Sequence, residues 1–242
     1  MPQKESHTTN VVDLLCRLWH PMNAKHRQLL SDHITLHSFK RREVVYSPEM
    51  RPDNLFFLVE GKVIIKNISS RHNHILRLLG PEDVFGYRAH FTGGHYYSRA
   101  ICLESSVIAT LPMDILDCIV TGEPSVGLYF TKQLSHLLAI SDTRGELLSQ
   151  LPLRGRLAQT LLYLEEKYGE EEGVTALDVR LTREELGELS NMNTSNAIRT
   201  LSQFSLEGIV RTEGKKIILL DKEKLQKEIS TLTDPPKVGS EK

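Results

Sequence analysis

The 242-residue chain is 40% hydrophobic and 25% charged, with 30 Lys and Arg against 31 Asp and Glu for a formal net charge of −1. That composition describes a soluble globular protein with room for one large or two medium domains. It excludes a global field toward nucleic acid, so any such surface must be a local patch. Cys16, Cys102 and Cys118 are odd in number, far apart and without CxxC spacing. They read as buried, reduced thiols of a cytoplasmic protein rather than as zinc or iron–sulfur ligands. Neither a signal-peptide core nor an apolar run of membrane-spanning length is present, so no membrane partner is expected.

Residues 1–10 are polar and read as loose. Over 11–37, Val12, Leu15 and Trp19, then Leu29, Leu30 and Ile34, recur at helical spacing, with Pro21 between two segments. His20, His26, His33 and His37 do not converge on one face and read as surface or packed side chains. From Phe39 to Leu111 the pattern changes to short strands: Glu43–Tyr46, Leu55–Val59, Lys62–Lys66, His74–Leu79, Arg99–Leu103 and Ser106–Leu111. Ser47-Pro-Glu, Glu60-Gly61, Gly80-Pro-Glu-Asp and Thr92-Gly-Gly94 punctuate them, which predicts a small antiparallel barrel or jelly roll.

A short helix is expected over 112–122 and a long one over Ser125–Ser149. In the long helix Val126, Phe130, Leu134, Leu137 and Leu148 keep one seam, Ser141 and Arg144 fill its weaker positions, and Tyr129, Gln133 and Leu138 widen it. A helix of this length suggests a dimer axis; packing on its own barrel is the alternative. Gly145 inside it is either a close crossing point or a joint. Leu151-Pro152 marks a boundary, Gly155–Tyr168 an amphipathic helix, Glu170–Gly173 a solvated acidic loop and Val174–Arg180 a short strand.

Residues 181–201 read as two helices and a tight turn. Thr182 caps the first with Glu185 at capping-box spacing, and Gly187 faces the point where a second helix must come close. Asn191 suits a left-handed turn position, and Asn193 caps the second helix. There Ala197, Leu201 and Phe204 form a buried face, while Thr194, Ser195, Asn196, Arg199 and Gln203 lie opposite. Short polar groups with one Arg suit a helix lying in a major groove, because Arg can bond guanine O6 and N7 together. Ile209–Arg211 and Lys216–Leu220 predict a β-hairpin, completing a winged helix with Lys215 and Lys216 at its tip.

Barrel, long helix and winged helix in that order resemble the family of the cyclic-AMP receptor protein and the fumarate–nitrate reduction regulator, over about residues 20–222. The likeness is carried by Asn54-Leu-Phe-Phe-Leu-Val-Glu-Gly61, Gly80-Pro-Glu-Asp-Val-Phe-Gly86, Gly155-Arg-Leu-Ala-Gln-Thr-Leu-Leu-Tyr-Leu164 and the helix-turn-helix ending in Leu206-Glu-Gly-Ile209. It implies an α+β fold. Residues 1–124 would form a double-stranded β-helix (jelly-roll) barrel like a cyclic-nucleotide-binding domain, and 125–150 a dimerisation helix. Residues 151–223 would form a winged helix-turn-helix, and 224–242 a disordered tail. The implied protein is a homodimeric transcription regulator that binds palindromic double-stranded DNA and works with RNA polymerase.

Arg199 is then the principal base reader, Thr194, Ser195 and Asn196 auxiliary readers, and Thr182, Asn193, Lys215 and Lys216 phosphate contacts. Phe85, Gly86, Tyr87, Arg88, Tyr96, Tyr97, Ser98 and Arg99 would line the effector pocket. Relatives that bind cyclic AMP carry a Glu where Tyr87 stands and an Arg-Ser pair that aligns with Tyr96-Tyr97, Ser98-Arg99 being displaced by two. Cyclic AMP is therefore not the expected effector, and the three tyrosines point to a blocked pocket, a flatter ligand or core packing, with Arg88 or Arg99 as substitute cations. The N-terminal cysteine cluster of the oxygen-sensing branch is missing, so no iron–sulfur cluster is expected. His90, His95 and Met50 leave haem open as an alternative. In the reading helix, relatives begin with Arg-Glu where this chain has Thr194-Ser195, which predicts a different half-site. A nucleotide- or haem-binding module acting on a protein partner is the rival reading; no nucleophile–base pair or paired carboxylates suggest an enzyme.

Overall fold

The computed structural model describes residues 11–67, 73–169 and 175–230. Residues 1–10, the acidic loop 170–173 and the seam side chains of Arg144 and Leu148 lie outside the described residues. Two compact units are present, Met1–Ala139 and Ile140–Lys242.

The first unit opens with α1 (residues 11–18) and α2 (Ala24–His33), the latter capped by Asn23 accepting from His26 N. Eight strands follow: β1 (Thr35–Phe39), β2 (Val44–Tyr46), β3 (Asn54–Glu60), β4 (Val63–Asn67), β5 (His74–Leu79), β6 (Val84–Phe85), β7 (Arg99–Cys102) and β8 (Ser106–Pro112). Between β6 and β7 lies α3 (Tyr87–Phe91), and after β8 come α4 (Met113–Gly122) and α5 (Pro124–Gln150), whose residues from Ile140 on belong to the second unit. All pairings in the barrel are antiparallel, in two four-stranded sheets of order β1-β8-β3-β6 and β2-β7-β4-β5, a jelly roll. Residues 35–37 were expected to end a helical segment and belong to β1 instead. This strand pairs along β8 from Thr35↔Thr110 to Phe39↔Ser106.

The apolar run Leu55-Phe-Phe-Leu58 is continuous because both faces of β3 are covered. Successive side chains of a strand point to opposite faces. Phe56 and Leu58 join Val63, Ile65, Leu79, Phe85, Ala100 and Ile108 between the sheets. Leu55 and Phe57 join Leu15, Trp19, Leu30, Leu116, Val126 and Phe130 under the helices. Full burial of each Val, Leu, Ile or Phe among them contributes roughly 1.5–3 kcal/mol. Trp19 packs on Tyr129 and Phe130 with ring centroids 6.2 and 5.8 Å apart. Glu123 clamps this corner by accepting from Asn23 N at 2.8 Å and meeting His26 Nδ1 at 2.9 Å.

Val126 and Phe130 of α5 are thus buried on their own barrel, while Leu128, Leu138 and Ile140 remain exposed. A Cβ placed on Gly145 would meet none of the described residues within 4 Å. Of the three cysteines, Cys102 is buried and Cys16 half-buried; Cys118, expected to be buried, is exposed on α4 because it follows Leu116 off the helix's inner face.

The second unit comprises α6 (Leu153–Tyr168), β9 (Thr175–Ala176), α7 (Arg183–Leu189), α8 (Thr194–Leu206), β10 (Val210–Glu213), β11 (Lys216–Leu219) and α9 (Lys222–Ser230). Its three strands pair in the order β10-β11-β9. Residues 224–230, expected to begin a disordered tail, belong to α9. Leu225 is fully buried, and α9 lies so close to α6 that a Cβ on Gly155 would be 2.9 Å from the Glu228 carbonyl oxygen. Arg154 completes the join: it donates to both carboxylate oxygens of Glu228 and of Glu207, and lies 4.8 Å from the centroid of the Phe204 ring. Among the described residues no helix is long and apolar enough to cross a membrane.

Candidate nucleic-acid interface and effector pocket

The helix pair α7–α8 is fixed by local chemistry at each end. Thr182 accepts from Glu185 N at 3.1 Å while the buried Glu185 carboxylate accepts from Thr182 N at 2.7 Å, a reciprocal capping box. At the turn Asn191 takes φ 52°, which lets Met192 N return to Gly187 O at 2.9 Å and closes the end of α7. A Cβ on Gly187 would lie 3.0 Å from the Met192 carbonyl oxygen and 3.5 Å from Ala197 Cβ, so the two helices meet at this glycine. Asn193 caps α8 by accepting from Asn196 N at 2.8 Å. Arg156 of α6 donates to Asn191 O at 3.1 Å, tying the turn to the helix behind it. At its far end α8 stops at Gly208, with φ 69° and Ile209 N bonded to Phe204 O.

These constraints aim one face of α8 inward and the other outward. Ala197, Thr200, Leu201 and Phe204 are buried. Asn193, Thr194, Ser195, Arg199, Ser202 and Gln203 are exposed, and Asn196 is half-buried. Arg199 has no hydrogen bond or ion pair to a described residue. Capping occupies acceptor oxygens on Thr182 and Asn193, but the Thr182 hydroxyl proton and the Asn193 amide protons stay available as donors to an anion. The β10–β11 hairpin turns through Gly214 (φ 61°) and Lys215, placing Lys215 and Lys216 at its tip. Arg183, which the sequence reading passed over, donates to Gly214 O at 3.0 Å and holds that tip against the start of α7.

Sequence reasoning also passed over Ile198. It follows Ala197, and a helical Ile beside a core position reads as core by composition. On the helix it is 47% exposed and stands with the polar residues. The signal was its register, one position off the Ala197–Leu201–Phe204 face.

In the barrel, a cavity of about 20 Å³ is lined by residues of β2, β4, β5 and α3 and of the loop before β7, including Arg77, Gly86, Tyr87, Arg88, Tyr96, Tyr97 and Ser98. That is room for about one water. Of the expected lining residues, Arg99 is not part of it: it alternates along β7 with Ala100, which is fully buried in the barrel core. Phe85 belongs to that core as well, stacked on Phe56 at 5.2 Å. Four of the lining residues are tyrosines. Tyr96 stacks on Tyr46 with centroids 3.9 Å apart and planes within 12°. Tyr87 is buried against Phe130 at 4.9 Å. Gly86, at φ 92°, starts α3 where a Cβ would fall 2.6 Å from Phe56.

Burial pushes the Tyr46 phenol up to about 12, opposed by its hydrogen bond to Ser98, and raises Tyr96 and Tyr87 as well, so all three stay neutral. Arg77 lies 4.0 Å from Asp83, and the exposed Arg88 sits 5.6 Å over the Tyr97 ring. The cations at this cavity are Arg77 and Arg88, and Tyr87 stands where the cyclic-AMP-binding relatives were expected to carry a Glu. His90, His95 and Met50 do not line the cavity. His90 Nε2 is engaged by Asp117 at 2.8 Å, and His95 and Met50 are exposed on turns. Among the described residues no group of three His, Cys, Asp or Glu could hold a metal ion.

Comparison with known proteins follows the same division of the chain. Residues 36–121 match the cyclic nucleotide-binding domain and residues 155–228 the Crp-like helix-turn-helix domain. The CRP-like cAMP-activated global transcriptional regulator of Mycobacterium tuberculosis is 27% identical over 190 residues, covering 77% of this chain and 84% of that protein. The structure of a CRP/FNR-family transcriptional regulator from Thermus thermophilus is similar at 26% identity and a TM-score of 0.67, covering 81% of this chain and 99% of that one. FixK2 from Bradyrhizobium japonicum shares the fold at 20% identity and a TM-score of 0.71, over 80% of this chain and 96% of its own. With both halves matched in order on a jelly roll and a winged helix, the chain belongs to the CRP/FNR family of transcription regulators.

Proposed function

We propose that this regulator is a cytoplasmic homodimer that reads a palindromic operator through α8, in concert with RNA polymerase. The observation that carries this is the outward face of α8. Arg199 stands exposed and unengaged by any described residue, on a helix fixed at both ends by caps and from behind by Arg156. Arg199 bonds a guanine, and Thr194, Ser195 and Asn196 contact neighbouring bases or phosphates. Thr182, Asn193, Lys215 and Lys216 hold phosphates, with helix-start amides assisting. The exposed Leu128 and Leu138 on α5 supply apolar surface for a second copy.

The Mycobacterium tuberculosis relative is named for activation by cyclic AMP. We infer that this chain departs from it, because Tyr87 stands where cyclic-AMP-binding relatives carry a Glu and Tyr46, Tyr87 and Tyr96 line the cavity, Tyr96 stacked on Tyr46. Arg77 and Arg88 border that space, yet neither replaces an enclosed phosphate cradle.

Footprinting on an operator selected from random duplexes tests the proposal. Two protected half-sites about one DNA turn apart are expected, with affinity falling steeply as salt rises. A footprint no longer than a single half-site overturns the dimer, and salt-dependent binding without sequence preference overturns base reading.

A further inference from the structure

We propose that Ile198 is a specificity-determining residue that reads the C5 methyl of a thymine in the operator half-site. This rests on α8 being the base-reading helix. The buried arc of α8 is Ala197, Thr200, Leu201 and Phe204, and the opposite arc runs through Ser195, Arg199 and Ser202. Ile198 borders the outer arc and is 47% exposed, so it contributes little to the core. It lies four residues after Thr194 and three after Ser195, and side chains at those spacings are neighbours on a helix surface. It is also one residue from Arg199.

A β-branched side chain in a helix is held largely in one rotamer, so Ile198 projects as a stiff apolar knob among short hydroxyls. In the major groove the base edges of adenine, guanine and cytosine offer hydrogen-bonding groups, and thymine adds an apolar methyl. An apolar knob flanked by Thr194, Ser195 and Arg199 is therefore matched to thymine. A polar residue at 198 would contact any of several bases, whereas Ile desolvates the donors and acceptors of the others without pairing them. Discrimination then comes from both a gained methyl contact and a penalty on the wrong base.

The experiment uses the full chain and the operator that it selects from random duplexes. Each thymine of both half-sites is replaced in turn by deoxyuridine, which removes only the methyl, and Kd is measured at fixed salt. One symmetric position should weaken binding about fourfold per half-site, the scale of burying one methyl. Ile198→Ala should bind the thymine operator more weakly and lose the distinction between thymine and uracil, with Ile198→Val keeping part of it. Unchanged melting of both variants separates contact from folding, since Ile198 is exposed. The proposal is overturned if every uracil operator binds the parent protein as the thymine operator does, or if Ile198→Ala still discriminates. Failure of the parent protein to select any sequence overturns instead the reading of α8 on which the proposal stands.

Discussion

Arg199 and Ile198 are consecutive on α8, and the contributions proposed for them differ in kind. If Arg199 bonds guanine O6 and N7, Arg199→Ala costs about 1–3 kcal/mol on the selected operator and relaxes preference at one base pair. Binding of a panel of single-base operator variants checks this; a uniform loss across the panel would reassign Arg199 to a phosphate. The positions of these residues were unequally legible. The exposure of Arg199 and the caps at Thr182 and Asn193 follow from local rules, since caps and helical register involve residues three or four apart. The state of the pocket does not, because Tyr96 meets Tyr46 from fifty residues away, and only the folded barrel brings the rings to 3.9 Å. Arg99 was misplaced for a related reason. A strand's alternation fixes two faces but not which one looks inward, and Ala100 took the inner one.

Among the elements, those with a strong period of their own were readable and those dependent on neighbours were not. The long α5 and the cap-defined α7 and α8 declare themselves. β1 is largely exposed and β6 only two residues long, and each is held in place by pairing with a distant strand. The charged α9 buries a single leucine, Leu225, and owes its place to the contact with Gly155 and to Arg154. Arg154 joins α6, the end of α8 and α9 through Glu207 and Glu228, and its stacking on Phe204 adds to this. Arg154→Ala is expected to destabilise the unit by about 1–2 kcal/mol, more than an ordinary surface pair. The bond to Arg154 holds the Glu207 carboxyl below the usual carboxylate range. A lowered folded-state pKa stabilises the fold above the unfolded value and is lost as pH falls through the folded one. The difference in melting temperature between parent and Arg154→Ala should therefore be full at neutral pH and shrink in acid; a gap independent of pH would assign the loss to packing alone.

For the whole molecule, fold and output were legible because the order of barrel, long helix and winged helix is written in changes of period along the chain. Input was legible only as a departure from relatives at Tyr87 and Tyr96-Tyr97, residues that line the small cavity of the barrel. A regulator with tyrosines at those positions should bind its operator without a nucleotide. Adding cyclic AMP at about 100 times a working Kd would stabilise a binding barrel by about 2.7 kcal/mol. Calorimetry is expected to find no such rise in melting temperature, and operator titrations no gain in affinity. A rise of that size would mean that the tyrosines admit the nucleotide.

The position of α9 also sets a schedule for biogenesis. Domains fold as units during synthesis, N-terminal parts first, so the jelly roll can close while the reader is still being translated. The reader cannot, because Leu225 and Glu228, which seal α6, are made after the wing. A nascent or prematurely ended chain that stops at the wing would carry a formed barrel beside a reader with an open apolar seat. It would present itself to proteases and chaperones before it could compete for an operator.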